Sequence, residues 1–141
     1  MPPIGIIVIL FEFYNYNLST MPPKKVELTT TIRDADHFLN FYTERNPKMV
    51  IIDVHPAWSG NCEALMPFYK NLQTNVIDEF EKRIDIILVD QEKIESLNIP
   101  EFQTTCKPKI FITLQGKIIH TTNGPNTSEL EDHIKKNVPY I

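Results

Sequence analysis

The chain has 141 residues, of which 42% are hydrophobic, and its 14 Lys and Arg against 18 Asp and Glu give a formal net charge of -4. A chain of this size buries about two-thirds of its unfolded surface, which is enough for one core without disulfide bonds. The negative charge, with no Lys/Arg run longer than two residues, argues against proteins that bind nucleic acid phosphates or an anionic membrane. We therefore expect neither nucleic acid nor a membrane among its partners.

The first twenty residues differ in composition from the rest of the chain. Residues 4–11 are almost entirely apolar, and every Lys and Arg follows Met21. This apolar run is shorter than the ~20 residues of a membrane-spanning helix, and it lacks the basic start of a signal peptide. We interpret residues 1–20 as an apolar extension that is not part of the core, ahead of one domain over residues 21–141. If the extension were a working signal, the chain would instead be a secreted or membrane-tethered domain.

After Met21 the hydrophobic pattern alternates between strand and helix. Short apolar runs typical of buried strands predict β-strands at residues 26–31, 50–54, 84–89, 109–114 and 117–121. Hydrophobic residues at helical spacing predict helices at residues 34–45, 59–75 and 128–137, with a short helix or turn at 91–97. The second of these helices has Pro67 in its interior, and Gln115-Gly116 predicts a tight hairpin between the last two strands.

The order of these elements, βαβαβαββα, predicts the fold class. Continuous apolar strands joined by helices imply a sheet that is covered on both faces, and the hairpin adds an antiparallel half. We therefore expect an α/β protein, a three-layer α/β/α sandwich with a mixed central sheet.

The most informative segment for function is residues 58–62, Trp-Ser-Gly-Asn-Cys, between a predicted buried strand and a predicted helix. A cysteine at a helix N-terminus is favoured as the thiolate, and two thiols separated by two residues there can exchange with a disulfide. Here Ser59 occupies the first of the two positions and Cys62 the second. Because a hydroxyl can neither attack a disulfide nor form one, reversible exchange within this motif is excluded.

On these residues the chain resembles the thioredoxin family, in which the corresponding motif reads Trp-Cys-Gly-Pro-Cys. The resemblance covers residues 26–141 and extends to four further positions with matching spacing: Asp53, Pro67, Pro108 and Gly124. It implies the thioredoxin fold, with Asp53 as a buried acid and Pro108 as a cis-proline beside the redox motif. Ser59 and Asn61 depart from the family motif, so the resemblance implies a vestigial redox site without a confident catalytic residue.

Within that superfamily the chain is similar in particular to the thioredoxin-type light chains of ciliary outer-arm dynein. It is also similar to the thioredoxin module of ciliary thioredoxin and nucleoside diphosphate kinase fusions. The residues that carry this similarity are 52–54, 57–58, Gly60, Cys62, Pro67, 106–108 and 116–119. The similarity implies a protein partner, a dynein heavy or intermediate chain, in the cytoplasm and in the axoneme of a cilium or flagellum. The surface expected to bind that partner comprises Trp58, Lys107, Pro108 and Gly124.

We expect a light chain or subunit without catalytic activity, with a structural or redox-sensing role, because Ser59 replaces the nucleophilic cysteine. The alternative is a protein disulfide oxidoreductase that acts through one thiol, either Cys62 or Cys106. Two cysteines are too few for a secreted disulfide scaffold, which favours a reducing compartment. No small-molecule substrate or cofactor is expected. No metal site is expected either, because the histidines are scattered over different predicted elements: His37, His55, His120 and His133.

Overall fold

A five-stranded mixed sheet forms the middle layer of the protein. The computed structural model describes residues 28–60, 63–103 and 108–140. Its strands are β1 Thr30–Thr31, β2 Met49–His55, β3 Ile84–Asp90, β4 Lys109–Leu114 and β5 Lys117–Asn123. In space they follow the order β1-β3-β2-β4-β5. Strands β1 and β2 run parallel to β3, whereas β4 runs antiparallel to both β2 and β5. The predicted mixed central sheet is confirmed.

Helices of several kinds connect the strands. The α-helices are α1 Ala35–Phe41, α2 Met66–Asn71, α3 Phe80–Arg83 and α4 Thr127–Asn137. A 3₁₀ turn, Glu63–Leu65, precedes α2, and a π-helical segment, Leu72–Val76, follows it. Two more 3₁₀ segments follow β3, at Gln91–Leu97 and Pro100–Phe102. None of the described helices has the length and apolar character that crossing a membrane requires.

Side-chain caps determine where the two longest α-helices begin. The Asp34 carboxylate accepts a hydrogen bond of 2.7 Å from the His37 N–H at the start of α1. At the start of α4, the Asn126 side-chain oxygen accepts a bond of 3.3 Å from the Glu129 N–H. Each cap satisfies a backbone donor that has no partner inside the first helical turn. These capping residues therefore determine the first residue of each of the two helices.

Two hydrophobic clusters cover the two faces of the sheet. Successive residues of β2 point to opposite faces, so Met49 and Ile51 join one cluster while Val50, Ile52 and Val54 join the other. The first cluster lies on the α2/α4 face and includes Leu65, Tyr69, Leu72, Ile110, Ile112, Leu130 and Ile134. The second lies on the α1 face and includes Ile32, Phe38, Val89, Ile94, Phe102 and Phe111. The predicted three-layer α/β/α sandwich is confirmed.

Aromatic rings dominate the α1 face. Phe102 packs edge-on against Phe38 and Phe111, with ring centroids 5.5 Å and 4.8 Å away, and it also contacts Tyr42 at 5.2 Å. Burial and, less strongly, the nearby Glu101 carboxylate raise the pKa of Tyr42 above its ordinary value of 10.0. The phenol is therefore neutral at physiological pH and suited to this apolar cluster.

Two predicted helix boundaries and the predicted place of Pro67 are wrong. The helix expected from residue 59 does not include Ser59 and Gly60, because Ser59 lies in a turn and Gly60 has φ of +67°, outside helical geometry. Pro67 lies in the first turn of α2 and not in a helix interior, so its missing N–H removes no helical hydrogen bond. The helix expected up to residue 45 ends at Phe41, whose carbonyl oxygen accepts a 2.9 Å hydrogen bond from the Asn46 side chain.

Some expectations fall on residues outside the described ranges. The extension at residues 1–20 is one of them, and so is the first part of the strand predicted at 26–31, which is observed only as β1. The interpretation of residues 1–20 as an extension, and the domain boundary at residue 21, therefore stay predictions.

Candidate functional site

Three of the predicted site segments lie at one edge of the sheet. Val54, near the end of β2, pairs with Lys109 at the start of β4, and Lys109 pairs with Asn123 at the end of β5. The turn after β2, the residue before β4 and the residue after β5 are therefore neighbours at this edge. The Gly124 N–H donates a hydrogen bond of 3.3 Å to the Pro108 carbonyl oxygen. We call residues 56–60, Pro108 and Gly124 the motif edge.

A tight turn at residues 56–60 contains Trp58, Ser59 and Gly60, the described part of the predicted motif. The Ser59 N–H donates to the Pro56 carbonyl oxygen at 3.1 Å, and the Ser59 hydroxyl oxygen lies 3.1 Å from the carbonyl oxygens of both Pro56 and Gly60. The hydroxyl can donate its one proton to either carbonyl. Gly60 then turns the chain with a φ of +67°, a left-handed conformation that favours glycine. Ser59 thus stabilises the turn. By the resemblance, it does so at the position where the family has its attacking thiol.

Trp58 is the most prominent apolar group at the motif edge. Its side chain is 74% exposed, although indole rings are usually largely buried in folded proteins. An exposed Trp offers a large apolar area with few rotatable bonds, and such residues often dominate the energy of protein interfaces. The exposed ring is therefore a candidate contact surface for a protein partner.

Asp53 and His55 lie beneath the turn at the end of β2. Asp53 is fully buried, as the resemblance implied, and by strand alternation it points to the α2/α4 face. Its Oδ1 atom lies 3.7 Å from Nδ1 of His55, whose side chain is largely buried. His55 was not predicted as a site residue. His55 is one residue past the predicted strand at 50–54, and because β2 extends to it, the spacing of two places both side chains on one face.

Several predicted site residues lie outside the described ranges. They are Asn61, Cys62, Cys106 and Lys107. Their expected roles, in the motif, as redox thiols and in partner binding, stay predictions. The expected cis bond before Pro108 also stays a prediction, because that bond joins Pro108 to Lys107.

A second polar cluster lies between β5 and α4. The rings of His120 and His133 stack with centroids 3.7 Å apart and planes 13° from parallel. Nε2 of His120 lies 2.8 Å from Oε1 of Glu129. These two histidines are in different elements, as expected, but the hairpin and α4 bring their rings together with Glu129, which the expectation of no ligand set did not foresee. Only the spacing of Glu129 and His133, four residues apart on a predicted helix, was visible in the sequence.

Comparison with known proteins establishes the family. The Thioredoxin family model matches residues 29–136. The chain belongs to the thioredoxin family. It is 27% identical over 103 residues to human Thioredoxin domain-containing protein 3, a match that covers 73% of this chain but only 16% of that protein. Thioredoxin-1 of Caenorhabditis elegans is 29% identical over 91 residues, covering 64% of this chain and 74% of that protein.

Solved structures confirm the thioredoxin fold. A thioredoxin from Nicotiana alata superimposes with a TM-score of 0.62 at 17% identity, covering 84% of this chain and 99% of that one. A Plasmodium falciparum thioredoxin gives a TM-score of 0.57 at 23% identity, covering 77% and 98% of the two chains. At these identities the likeness concerns the fold alone. This thioredoxin-family chain therefore has the predicted architecture.

Substitution of Gly60 tests the geometry of the turn that contains Trp58 and Ser59, and substitution of Gly116 provides the comparison. At Gly60 a Cβ would meet no atom of the described residues within 4 Å, so Gly60→Ala should cost only the left-handed backbone penalty, about 1 kcal/mol of unfolding free energy. At Gly116, in the β4–β5 hairpin, φ is +76° and a Cβ would lie 3.1 Å from the Glu44 backbone nitrogen. Gly116→Ala should therefore cost about 2 kcal/mol or more.

Urea unfolding of both variants, measured against the unmodified chain, gives these free energies. A Gly60→Ala variant as stable as the unmodified chain, or one less stable than Gly116→Ala, would contradict the described turn.

Proposed function

We propose that this chain is a thioredoxin-family subunit without redox turnover that binds a larger protein partner. By the resemblance of its sequence, that partner is an outer-arm dynein heavy or intermediate chain, and the site of action is the axoneme within the cytoplasm of a cilium or flagellum. One observation carries the proposal: Ser59 stands where the family has its attacking cysteine, in a turn that exposes the neighbouring Trp58.

The chemistry of disulfide exchange supports the absence of turnover. Exchange begins when a thiolate attacks a disulfide sulfur, and it ends when a second thiol releases the mixed disulfide. A serine hydroxyl forms neither the thiolate nor the new sulfur–sulfur bond. The Ser59 hydroxyl is moreover within hydrogen-bond distance of two backbone carbonyl oxygens. A structural role in the turn accounts for this residue without catalysis.

The shape of the motif edge supports a binding role. Trp58 supplies exposed apolar surface, and the Gly124–Pro108 hydrogen bond holds the two neighbouring segments together beside the end of β2. Binding sites of open α/β sheets commonly lie at the carboxyl ends of the strands, which is where the Trp58 turn begins. The similarity to Thioredoxin domain-containing protein 3 supports a thioredoxin-like module, while the absence of turnover rests on Ser59 and the dynein partner on the resemblance of the sequence.

The first prediction of this proposal is the absence of turnover. In the insulin-reduction assay, the unmodified chain should not raise the rate of insulin reduction above that of dithiothreitol in buffer, because its motif cannot cycle through an internal disulfide. The Ser59→Cys variant restores the family's pair of thiols and should form a reducible disulfide with Cys62, which thiol titration before and after reduction will detect.

Rapid insulin reduction by the unmodified chain would contradict the proposal. If that activity disappeared in Cys62→Ser or in Cys106→Ser, the chain would be the alternative oxidoreductase that acts through one thiol.

The second prediction concerns the partner. Trp58→Ala should weaken association with the outer-arm dynein complex by about thirtyfold, since loss of a central interface Trp commonly costs about 2 kcal/mol or more. The thermal midpoint should stay within about two degrees, because the ring is 74% exposed and contributes little to the core. Surface plasmon resonance with immobilised complex measures the affinity.

Leu39→Ala is the matched control for this experiment. Leu39 is a 41% exposed apolar side chain on α1, away from the motif edge, and its removal should leave the affinity unchanged. Normal binding by Trp58→Ala together with weak binding by Leu39→Ala would place the interface on α1 and refute the role of the motif edge.

A further inference from the structure

We propose that His120, Glu129 and His133 form a binding site for one divalent transition-metal cation of the zinc type. One ligand atom from each of these side chains lies within 4.8 Å of the other two. Two imidazoles and one carboxylate are a donor set found in zinc sites that keep a fourth position open. The same donors suit zinc better than magnesium or calcium, which prefer oxygen ligands alone. This proposal does not depend on the partner proposed above.

A β-bulge in the hairpin directs His120 towards α4. Ile112 pairs with His120 but the next residue, Thr113, pairs with Ile118, so Ile119 is the extra residue of a bulge in β5. In a regular strand Ile118 and His120 would share a face. Instead Ile118 packs into the cluster on the α1 face, while His120 contacts Glu129 and His133 on the opposite side. Bulges commonly re-aim a side chain in this way, often next to functional sites.

The other two ligands are held by α4. Glu129 and His133 are one helical turn apart, so their side chains lie on the same side of the helix. The Asn126 side-chain N–H₂ donates a hydrogen bond of 2.8 Å to Oε2 of Glu129, which leaves Oε1 directed at His120. The helix cap therefore orients one carboxylate oxygen towards the ring nitrogen. Neighbouring groups that orient a ligand in this manner commonly strengthen metal binding.

Side-chain rotations separate the present geometry, in which the ligand atoms lie within 4.8 Å of one another and the two rings are stacked, from the geometry that an ion requires. Bonds of 2.0–2.2 Å in a tetrahedral zinc site separate neighbouring ligand atoms by about 3.3 Å. The 2.8 Å separation of His120 Nε2 and Glu129 Oε1 would open by about half an ångström around an ion, and Nε2 would give up its 2.9 Å contact with the Thr122 hydroxyl. The side chain of Glu129 is 41% exposed, so it can make this small rotation without disturbing the core.

An ion at this position would join the edge strand to the last helix. Three protein ligands leave a fourth position for water or for a side chain of a partner. His120 lies four residues before Gly124, about 13 Å along an extended strand from that part of the motif edge, so the site is separate from the vestigial redox motif. Its occupancy should raise the thermal midpoint, because the ion binds the folded chain more tightly than the unfolded one.

Calorimetric titration with Zn²⁺ tests the site. The parent for the titration is the full chain with Cys62→Ser and Cys106→Ser, because thiols would otherwise compete for the ion. We expect one ion per chain, and affinity lowered about tenfold or more by Glu129→Gln and by His133→Gln. The control His37→Gln removes a histidine from α1, outside the cluster, and should change the affinity less than about twofold.

A second measurement needs no substitution. In nuclear magnetic resonance spectra of the unmodified chain, Zn²⁺ should shift the ring signals of His120 and His133 and leave those of His37 unchanged. Lack of saturable binding would overturn the proposal. Equal affinity in the cluster variants and in His37→Gln, or unshifted His120 and His133 signals, would overturn it as well.

Discussion

The pairing of β2 on both sides is the interaction on which the rest of the structure depends. This strand bonds in parallel to β3 and antiparallel to β4, and its side chains fill the clusters on both faces of the sheet. Each buried Ile or Val contributes about 1.5–3 kcal/mol of transfer free energy, so the strand cannot shift without a large loss. Because the turn with Trp58 and Ser59 follows β2 directly, its position is determined by this core.

The same arrangement explains why the fold does not depend on a redox thiol at position 59. The turn at residues 56–60 is held by backbone and hydroxyl hydrogen bonds and by the left-handed conformation of Gly60. None of these contacts needs a thiol at position 59. A serine there leaves the core intact and keeps Trp58 exposed, as the proposed binding role requires. Fold and activity are separable in this way because activity resides in few side chains.

The sequence predicts the strands well because they are continuous apolar runs, and the central three are observed within one residue of their predicted ends. It predicts poorly where local turn chemistry overrides periodicity. Gly60 adopts a positive φ and Pro67 falls in the first turn of α2, so the helical spacing begins earlier than the helix. The polar cluster of His120 and His133 depends on the bulge at Ile119, which reverses strand alternation and leaves no mark in a single sequence. The family resemblance implied that Trp58, Pro108 and Gly124 belong to one surface, and the Gly124–Pro108 hydrogen bond and the exposure of Trp58 are observed in the structure.

The most direct test of a docking role is fractionation of isolated cilia. Axonemes are extracted with high salt, the extract is sedimented through a sucrose gradient, and the fractions are probed with an antibody against this chain. We expect the chain to sediment with the outer-arm dynein heavy chains, and to do so equally when dithiothreitol is present, because its association requires no disulfide. Absence of the chain from axonemes, or its release into the slowly sedimenting fractions by dithiothreitol, would contradict a non-redox subunit of the dynein arm.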